Sequence, residues 1–464
     1  MSNSIAMLQT KNLQLNDDAY LGGLLQIIES QTHNLTGDLG LFINDLRQKY
    51  ANQLVKCKIP TNQDENWRFT DLSELRKHDF HPAPSTPISA PSPQVSEDIL
   101  PSFTLPEAIN SRLVFVNGYY NEKLSNISGL SDDIYVGNLA NLDENKKGKI
   151  KEYLGKNQRE NEIFSALNTV GLTDAFVVWV NKNAEIKTPI HLLHLTIAEK
   201  LPILVQPRIL IVAEPNSSAN IIEYYGALTV ACSDTVRTQP YFTNVVSEIH
   251  LLENARLNHT RIQRETGAGF HIATTATALH RHSSYTINEV SLGGKLYRHN
   301  LDIIQKGEQT EINLNGITMV QGKQIADTHS HVMLNYPHGS VNQLHKYILD
   351  DAGRGIFNGR VDVPKNAQMT SAHQLNRNLL LSSQARINTK PELQITADNV
   401  KCTHGATVSQ LEADQIFYLR SRGLNESDAR YLLLDAFARE ILDKIPHQSL
   451  KQRLTQCVSC RTFD

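Results

Sequence analysis

Between residues 110 and 400 the chain repeats one small device, a polar turn with a small residue that leads into a strand. It occurs at Asn183-Ala184, Ser218-Ala219, Asn254-Ala255 and Gly293-Gly294, with the small residues 35, 36 and 39 positions apart. Later echoes at Asp351-Ala352, Asn366-Ala367 and Gln384-Ala385 are spaced 15 and 18, about half that interval, as if one coil contributed two corners. A stacked β-solenoid produces such a pattern, because every coil needs a tight corner and buries its inward face on its neighbours. On spacing alone, an ordinary β-sandwich with common Asn-Ala turns stays open as well.

The flanks have other periods. Phe42, Leu46, Tyr50 and Leu54, preceded by Leu39 and Ile43, form one apolar helical stripe, so the N-terminal zone is expected to be helical. Seven of the 17 prolines then fall between Pro82 and Pro106, where fixed φ angles and missing donors resist helix and central strand, which predicts a linker. Leu113-Val-Phe-Val116 runs into Asn117-Gly118, a hairpin-type turn, and Phe176-Val-Val-Trp-Val180 reads as a buried strand. After residue 400 a helix from Leu411 to Arg422 should end at Gly423, and Asn425, with Asp428 three residues on, should open a second one. That second helix carries Leu432, Leu433, Phe437 and Leu442 as an apolar stripe. At 1.5 Å per residue it is about 27 Å long, enough either to offer a partner a docking edge or to pack on its own domain. The divisions are therefore 1–81 helical, 82–109 linker, 110–402 β core and 403–464 helical.

A formal net charge of −3 supplies no basic field for a phosphate backbone, which argues against a nucleic-acid binder. No apolar run is long enough to span a membrane, and Met1 to Asp17 shows no basic region followed by an apolar core, so neither a membrane span nor an export signal is expected. Cys57, Cys232, Cys402, Cys457 and Cys460 are an odd, scattered set, which suits reduced thiols in a cytoplasmic compartment. Their spacing does not match a four-thiolate cluster site within one chain.

Ten of the 18 histidines lie between His271 and His404, including His280-Arg-His282 and His329-Ser-His331. In a strand, residues i and i+2 share a face, so each pair would present two imidazoles together. Asp327-Thr-His329-Ser-His331 has the form of the metal motif that opens an amidohydrolase barrel, but too little chain follows it to build one. A polar strand face is the better reading. Cys457-Val-Ser-Cys460 lacks a second pair and receives no role. There is no phosphate-binding G-x-x-x-x-G-K-[ST] loop, so any nucleotide energy must come from a partner.

Cys402 and His404 stand two apart at the end of a strand run, so they should project from one face where the β zone meets the helical tail. A thiolate with an imidazole suits iron or a zinc-like ion. Two ligands are half a site, which implies that the rest come from another chain. Without further context, a buried cysteine beside a hydrogen-bonded histidine is the alternative.

The stretch Cys402-Thr-His-Gly-Ala-Thr-Val408, followed by Gln415-Ile-Phe-Tyr-Leu-Arg-Ser-Arg-Gly423 and Ala429-Arg-Tyr-Leu-Leu-Leu-Asp-Ala-Phe437, resembles the SufB/SufD family of the SUF iron–sulfur cluster assembly system, on its SufD side. Asn66-Trp-Arg-Phe-Thr70, Gly355-Ile-Phe-Asn-Gly359 and Leu379-Leu380-Leu381-Ser382 match too. SufB-type chains carry Glu where Gly405 stands and a Cys-Gln-Gln-Arg-Gly type of sequence where this chain has Leu419-Arg-Ser-Arg-Gly423. The resemblance runs from about residue 20 to 445, and Cys457 and Cys460 have no counterpart in it.

The resemblance implies a mainly β fold, a right-handed parallel β-helix flanked by N-terminal and C-terminal α-helical domains. It implies a non-catalytic scaffold in a complex of one SufB, one SufD and two SufC ATPase subunits, with SufB paired through the β-helix edge and SufC on the C-terminal helices. Cys402 and His404 would then supply ligands for iron or a transient iron–sulfur cluster at the SufB interface, with no cofactor held stably by this chain alone. Leu419, Arg420, Arg422, Leu433 and Phe437 fall in the SufC-docking region. The sequence leaves open whether the isolated chain pairs with itself as a homodimer. Two other classes compete: a polysaccharide-processing β-helix, for which no paired carboxylates on one face are found, and a purely structural partner that touches no metal.

Overall fold

The computed structural model describes residues 17–83, 100–156, 159, 162–198, 200–227 and 239–460. Its centre is a parallel β-solenoid. Successive strands alternate between an 11-stranded and a 10-stranded sheet, and each pairs with the strand two places along the chain. Thus Arg256–Arg264 lies between Ser218–Ala227 and Ser284–Ser291, and Gly269–Leu279 between Tyr241–Leu251 and Leu296–Gln305, all in parallel register. Isolated parallel strands cannot bury both faces. Stacked coils bury the inward face and the strand edges, and the flanking helices cover much of the outward face, so most central strands are buried along nearly their whole length.

Each coil turns at a residue in the left-handed region: Asn183, Asn216, Asn254, His282, Gln309, His338 and Met369, with φ between 57° and 62°. Their N–H groups donate across the stack, as from Asn216 to the Glu253 carbonyl and from Asn254 to that of Arg281, both at 2.9 Å. Three asparagines also form a side-chain ladder, Asn254 to Asn216 and Asn216 to Asn183, each at 2.9 Å. Asparagine tolerates this backbone better than most residues, so the repeat at Asn183 and Asn254 marks true corners. Ser218-Ala219 instead opens a strand, and the sandwich alternative is replaced by the solenoid.

Among the described residues seven helices flank the solenoid: α1 (Ala19–Gln31), α2 (Gly37–Leu54), α3 (Glu144–Tyr153), α4 (Ile163–Val170), α5 (Ala413–Ser421), α6 (Glu426–Leu442) and α7 (Gln448–Cys460). The Asn117-Gly118 turn joins antiparallel strands, with φ of 51° and 87° as a primed hairpin turn requires. Helices α3 and α4 lie inside the zone read as mostly β. Phe164, Leu167 and Val170 of α4 join Leu21, Leu25, Ile28 and Leu54 in one core with Phe242 and Phe270 of the solenoid. Residues 84–99 of the stretch read as a linker lie outside the described residues, as do Cys232 and most of the N-terminal stretch read for an export signal. The end of the linker is packed, because Phe103, Leu105 and Ala108 cover the 10-stranded sheet.

The motif Asn66–Thr70 is a docking point. Trp67 lies under the Arg298 guanidinium, 3.8 Å from its centroid, and Arg298 Nη1 donates to the Asn66 carbonyl at 2.9 Å. Buried Asp327 accepts from Arg298 and from Thr70 Oγ1, and takes His329 Nε2 at 3.0 Å. An aromatic face and a paired guanidinium thereby fix the N-terminal segment to the outer face of the 11-stranded sheet.

The solenoid interior is apolar on one side, along Ile211, Ile249, Leu301, Leu314 and Val361, and ionisable on the other. Glu223, Arg261 and Glu289 are register partners on three neighbouring strands. His259 Nε2 lies 2.8 Å from Glu223 and His299 Nδ1 2.8 Å from Glu289. Burial alone would raise both carboxyls, but the imidazoles and Arg261 outweigh it and hold both below the usual carboxylate range.

Candidate functional site at the open end of the solenoid

The last strands of the two sheets, Arg386–Ile395 and Lys401–Ser409, close no further coil. Strand Lys401–Ser409 pairs on one side with Ser371–Leu380 and, among the described residues, has no strand on its other edge. No residue of either terminal strand is buried. Leu393, Ile395, Val400 and Cys402 pack one face on the interior and show the other. An uncapped solenoid end carries unpaired backbone groups and apolar surface, the two features that invite a second chain.

Cys402 and His404 occupy this end, on the strand that runs to Ser409, so β structure continues past residue 402. Cys402 is the register partner of Ala372 and His404 that of Gln374. Ala372 and Gln374 are buried and Cys402 packs on the interior cluster, so the pair shares the inward face, as the two-residue spacing predicts. Cys402 is half-buried and His404 exposed. Burial pushes the Cys402 thiol above its ordinary value, against a lesser lowering by the Ala372 backbone, so a metal must displace a proton to bind it. Among the described residues no group of three or more His, Cys, Asp or Glu side chains is placed to hold an ion.

The other histidine pairs are structural. His282 takes a corner at φ 59° and His280 lies just beyond a strand end, which corrects the reading of that pair as strand neighbours. His329 and His331 do share a face, but each is held by a carboxylate, Asp327 at 3.0 Å and Asp362 at 2.7 Å.

The helical tail follows its signals. Gly423, at φ 97°, ends the α5 turn, and the Asn425 side chain caps α6 by accepting from the Asp428 N–H. The buried stripe of α6 is Leu434, Ala438, Ile441 and Leu442, packed on Ile222, Ile262, Val290 and Ile317 of the 10-stranded sheet. Of the stripe read from the sequence, Leu442 is buried, Leu433 and Phe437 are half-buried, and Leu432 stays 44% exposed. The register of burial is turned because α6 lies flat on the sheet. Lys346 sits 4.1 Å over the Phe437 ring and pairs with Glu440, which Arg377 also reaches at 3.1 Å. Helix α5 has no buried residue; Phe417 is 73% and Tyr418 57% exposed. Leu419 is half-buried beside them, Arg420 meets Glu426 at 3.4 Å, and Arg422 lies 5.3 Å from the Tyr418 ring centroid. The sequence carries no stripe that separates Phe417 and Tyr418 from core aromatics, so their exposure was not legible. In α7, Cys457 is buried against the same sheet.

Two family models match this architecture in succession, the SufBD protein N-terminal region over residues 22–192 and the SUF system FeS cluster assembly SufBD core domain over 195–437. The chain belongs to the SufBD family. The chain is 51% identical over 439 residues to the iron-sulfur cluster assembly SufBD family protein slr0076 of Synechocystis, covering 95% of each. It is 32% identical to the chloroplastic protein ABCI7 of Arabidopsis thaliana, over 93% of this chain and 89% of that one. It is 30% identical to the iron-sulfur cluster assembly protein SufD of Escherichia coli, over 91% of this chain and 94% of that one. The SufBD core match begins at residue 195 in the solenoid and ends within α6, so it takes in both Cys402 and His404 and the exposed α5. Among the described residues no helix is long and apolar enough to cross a membrane.

Proposed function

We propose that this SufBD-family chain is a non-catalytic, cytoplasmic scaffold subunit of the SUF assembly complex. It pairs with SufB through the open edge of strand Lys401–Ser409 and docks the SufC ATPase on its C-terminal helices. The observation that carries the reading is the unpaired terminal strand that presents Cys402 and His404 on its inward face. A partner strand added to this edge would satisfy its backbone groups, cover the half-exposed interior residues and bring further ligands to the two side chains. Iron and sulfur are cargo here: the nascent cluster would be shared across the interface and then released. Exposed Phe417 and Tyr418 on a helix without buried residues give SufC an aromatic anchor. ATP-driven movement of SufC would then open the SufB edge to iron and sulfur.

Co-purification tests the two contacts separately. Lys401 N–H pairs inward with the Thr370 carbonyl, so by alternation the Ala406 N–H faces the open edge; Ala406→Pro removes that donor and should abolish capture by tagged SufB while leaving SufC capture intact. Phe417→Glu with Tyr418→Glu should do the reverse. Capture of both partners by both variants would overturn the assignment.

A further inference from the structure

One buried oxygen beside the open end has no donor. Gln374, 3% exposed, donates from Nε2 to Gln343 Oε1 at 2.8 Å, and Gln343 donates from its own Nε2 to Ser330 Oγ at 2.7 Å. This chain of hydrogen bonds crosses the solenoid interior from one sheet to the other, with both amides donating toward Ser330. Gly359 makes room for it, since a Cβ there would overlap Gln374 Nε2. Gln374 Oε1 is then left buried and, among the described residues, without a hydrogen-bond partner. A buried acceptor in that state is costly, and in native proteins it usually has a use. The register partner of Gln374 on the next strand is His404, on the same face and exposed at the solenoid mouth, and a neutral imidazole carries one N–H donor.

We propose that Gln374 is a positioning residue for His404: its Oε1 accepts the N–H of one imidazole nitrogen and turns the lone pair of the other toward the open end. A histidine that binds metal almost always donates its second ring N–H to an oxygen, which fixes tautomer and ring orientation. Ser330, Gln343 and Gln374 form the rigid support of that contact. The metal part of the inference rests on the ligand role proposed above for His404; the hydrogen bond does not.

The test uses the full chain labelled with ring-15N histidine at pH 8, with the His404 signals assigned by their loss in His404→Ala. The wild type should show His404 enriched in one neutral tautomer, and Gln374→Leu should relax the ratio about fivefold, the effect of one neutral hydrogen bond. Gln374→Glu, whose carboxylate also accepts, should restore it. In an iron(II) titration of the chain mixed with SufB, Gln374→Leu should weaken binding at least about tenfold and Gln374→Glu should recover it. An unchanged His404 tautomer ratio in folded Gln374→Leu overturns the inference. A Gln374-dependent ratio with iron binding indifferent to His404→Ala keeps the hydrogen bond and removes the ligand role. If Gln374→Leu does not fold, Gln374→Met, close to glutamine in length and without an acceptor, takes its place: a relaxed ratio supports the hydrogen bond and an unchanged one overturns it.

Discussion

Asp327→Asn is the substitution whose effect follows most directly from the packing. Asp327 is fully buried and neutralises Arg298, itself 3% exposed on its side chain, while accepting from Thr70 and facing His329 at 3.0 Å. The change keeps the shape and removes the charge, so the guanidinium stays buried without its counter-ion. Breaking one side of a buried pair costs about 3–5 kcal/mol, a large part of a total stability of about 5–15 kcal/mol. Trp67 over Arg298 limits the loss, because the cation–π contact at 3.8 Å survives. The damage should be local first: Asn66–Thr70 is held by this cluster, so limited proteolysis within residues 62–71 should accelerate before the solenoid melts. Urea unfolding by tryptophan fluorescence and by far-ultraviolet circular dichroism reports both events, since Trp67 sits at the cluster. The paired change Arg298→Met with Asp327→Leu should recover most of the loss, because replacing a whole buried pair by apolar groups is often near neutral. A single-variant loss under about 1 kcal/mol, or a double variant no better than the single, would refute the argument.

Acid should destabilise the fold early. Burial lowers His194, His250 and His345 to about 4 from an ordinary 6.5, so the folded state excludes protons that the unfolded chain binds as pH falls below 6.5. Stability is complete above that value and is lost toward pH 4, by about 3 kcal/mol for each site at full effect; His345→Gln should flatten the slope of urea midpoint against pH, and an unchanged slope would count against it. Gly423→Ala, at φ 97°, should cost about 1 kcal/mol and loosen the turn between α5 and α6, read as faster amide exchange there. Leu442→Ala at a fully buried contact with the 10-stranded sheet should cost about 2–5 kcal/mol by chemical denaturation, whereas Leu432→Ala on the exposed side should stay within about 0.5 kcal/mol.

Local signals were read correctly wherever one residue dictates the backbone. Asn117-Gly118 makes its primed turn, Gly423 ends one helix and Asn425 caps the next. The shared face of Cys402 and His404 followed from the two-residue spacing alone. The coil repeat was only half legible. Its corners lie 27 to 38 residues apart and are filled by Asn, His, Gln and Met, so the left-handed backbone is imposed by stacking and the residue type does not announce it. Helix α4 was hidden because it is only eight residues long and its polar stripe, Ser165, Asn168 and Thr169, is buried along with its apolar one. The joining of Asn66 to Arg298, 232 residues apart, and the amide chain ending at Gln374 are tertiary facts that no local pattern encodes.

The central claim is that the open end of this solenoid supplies ligands to a cluster built between chains. It is tested most directly by the visible absorbance of the complex with SufB and SufC after incubation with iron, a sulfur donor, a reductant and ATP. His404→Ala should assemble with both partners and develop little of the iron–sulfur absorbance that the wild type shows. Full absorbance on an assembled His404→Ala, Cys402→Ala complex would contradict the account.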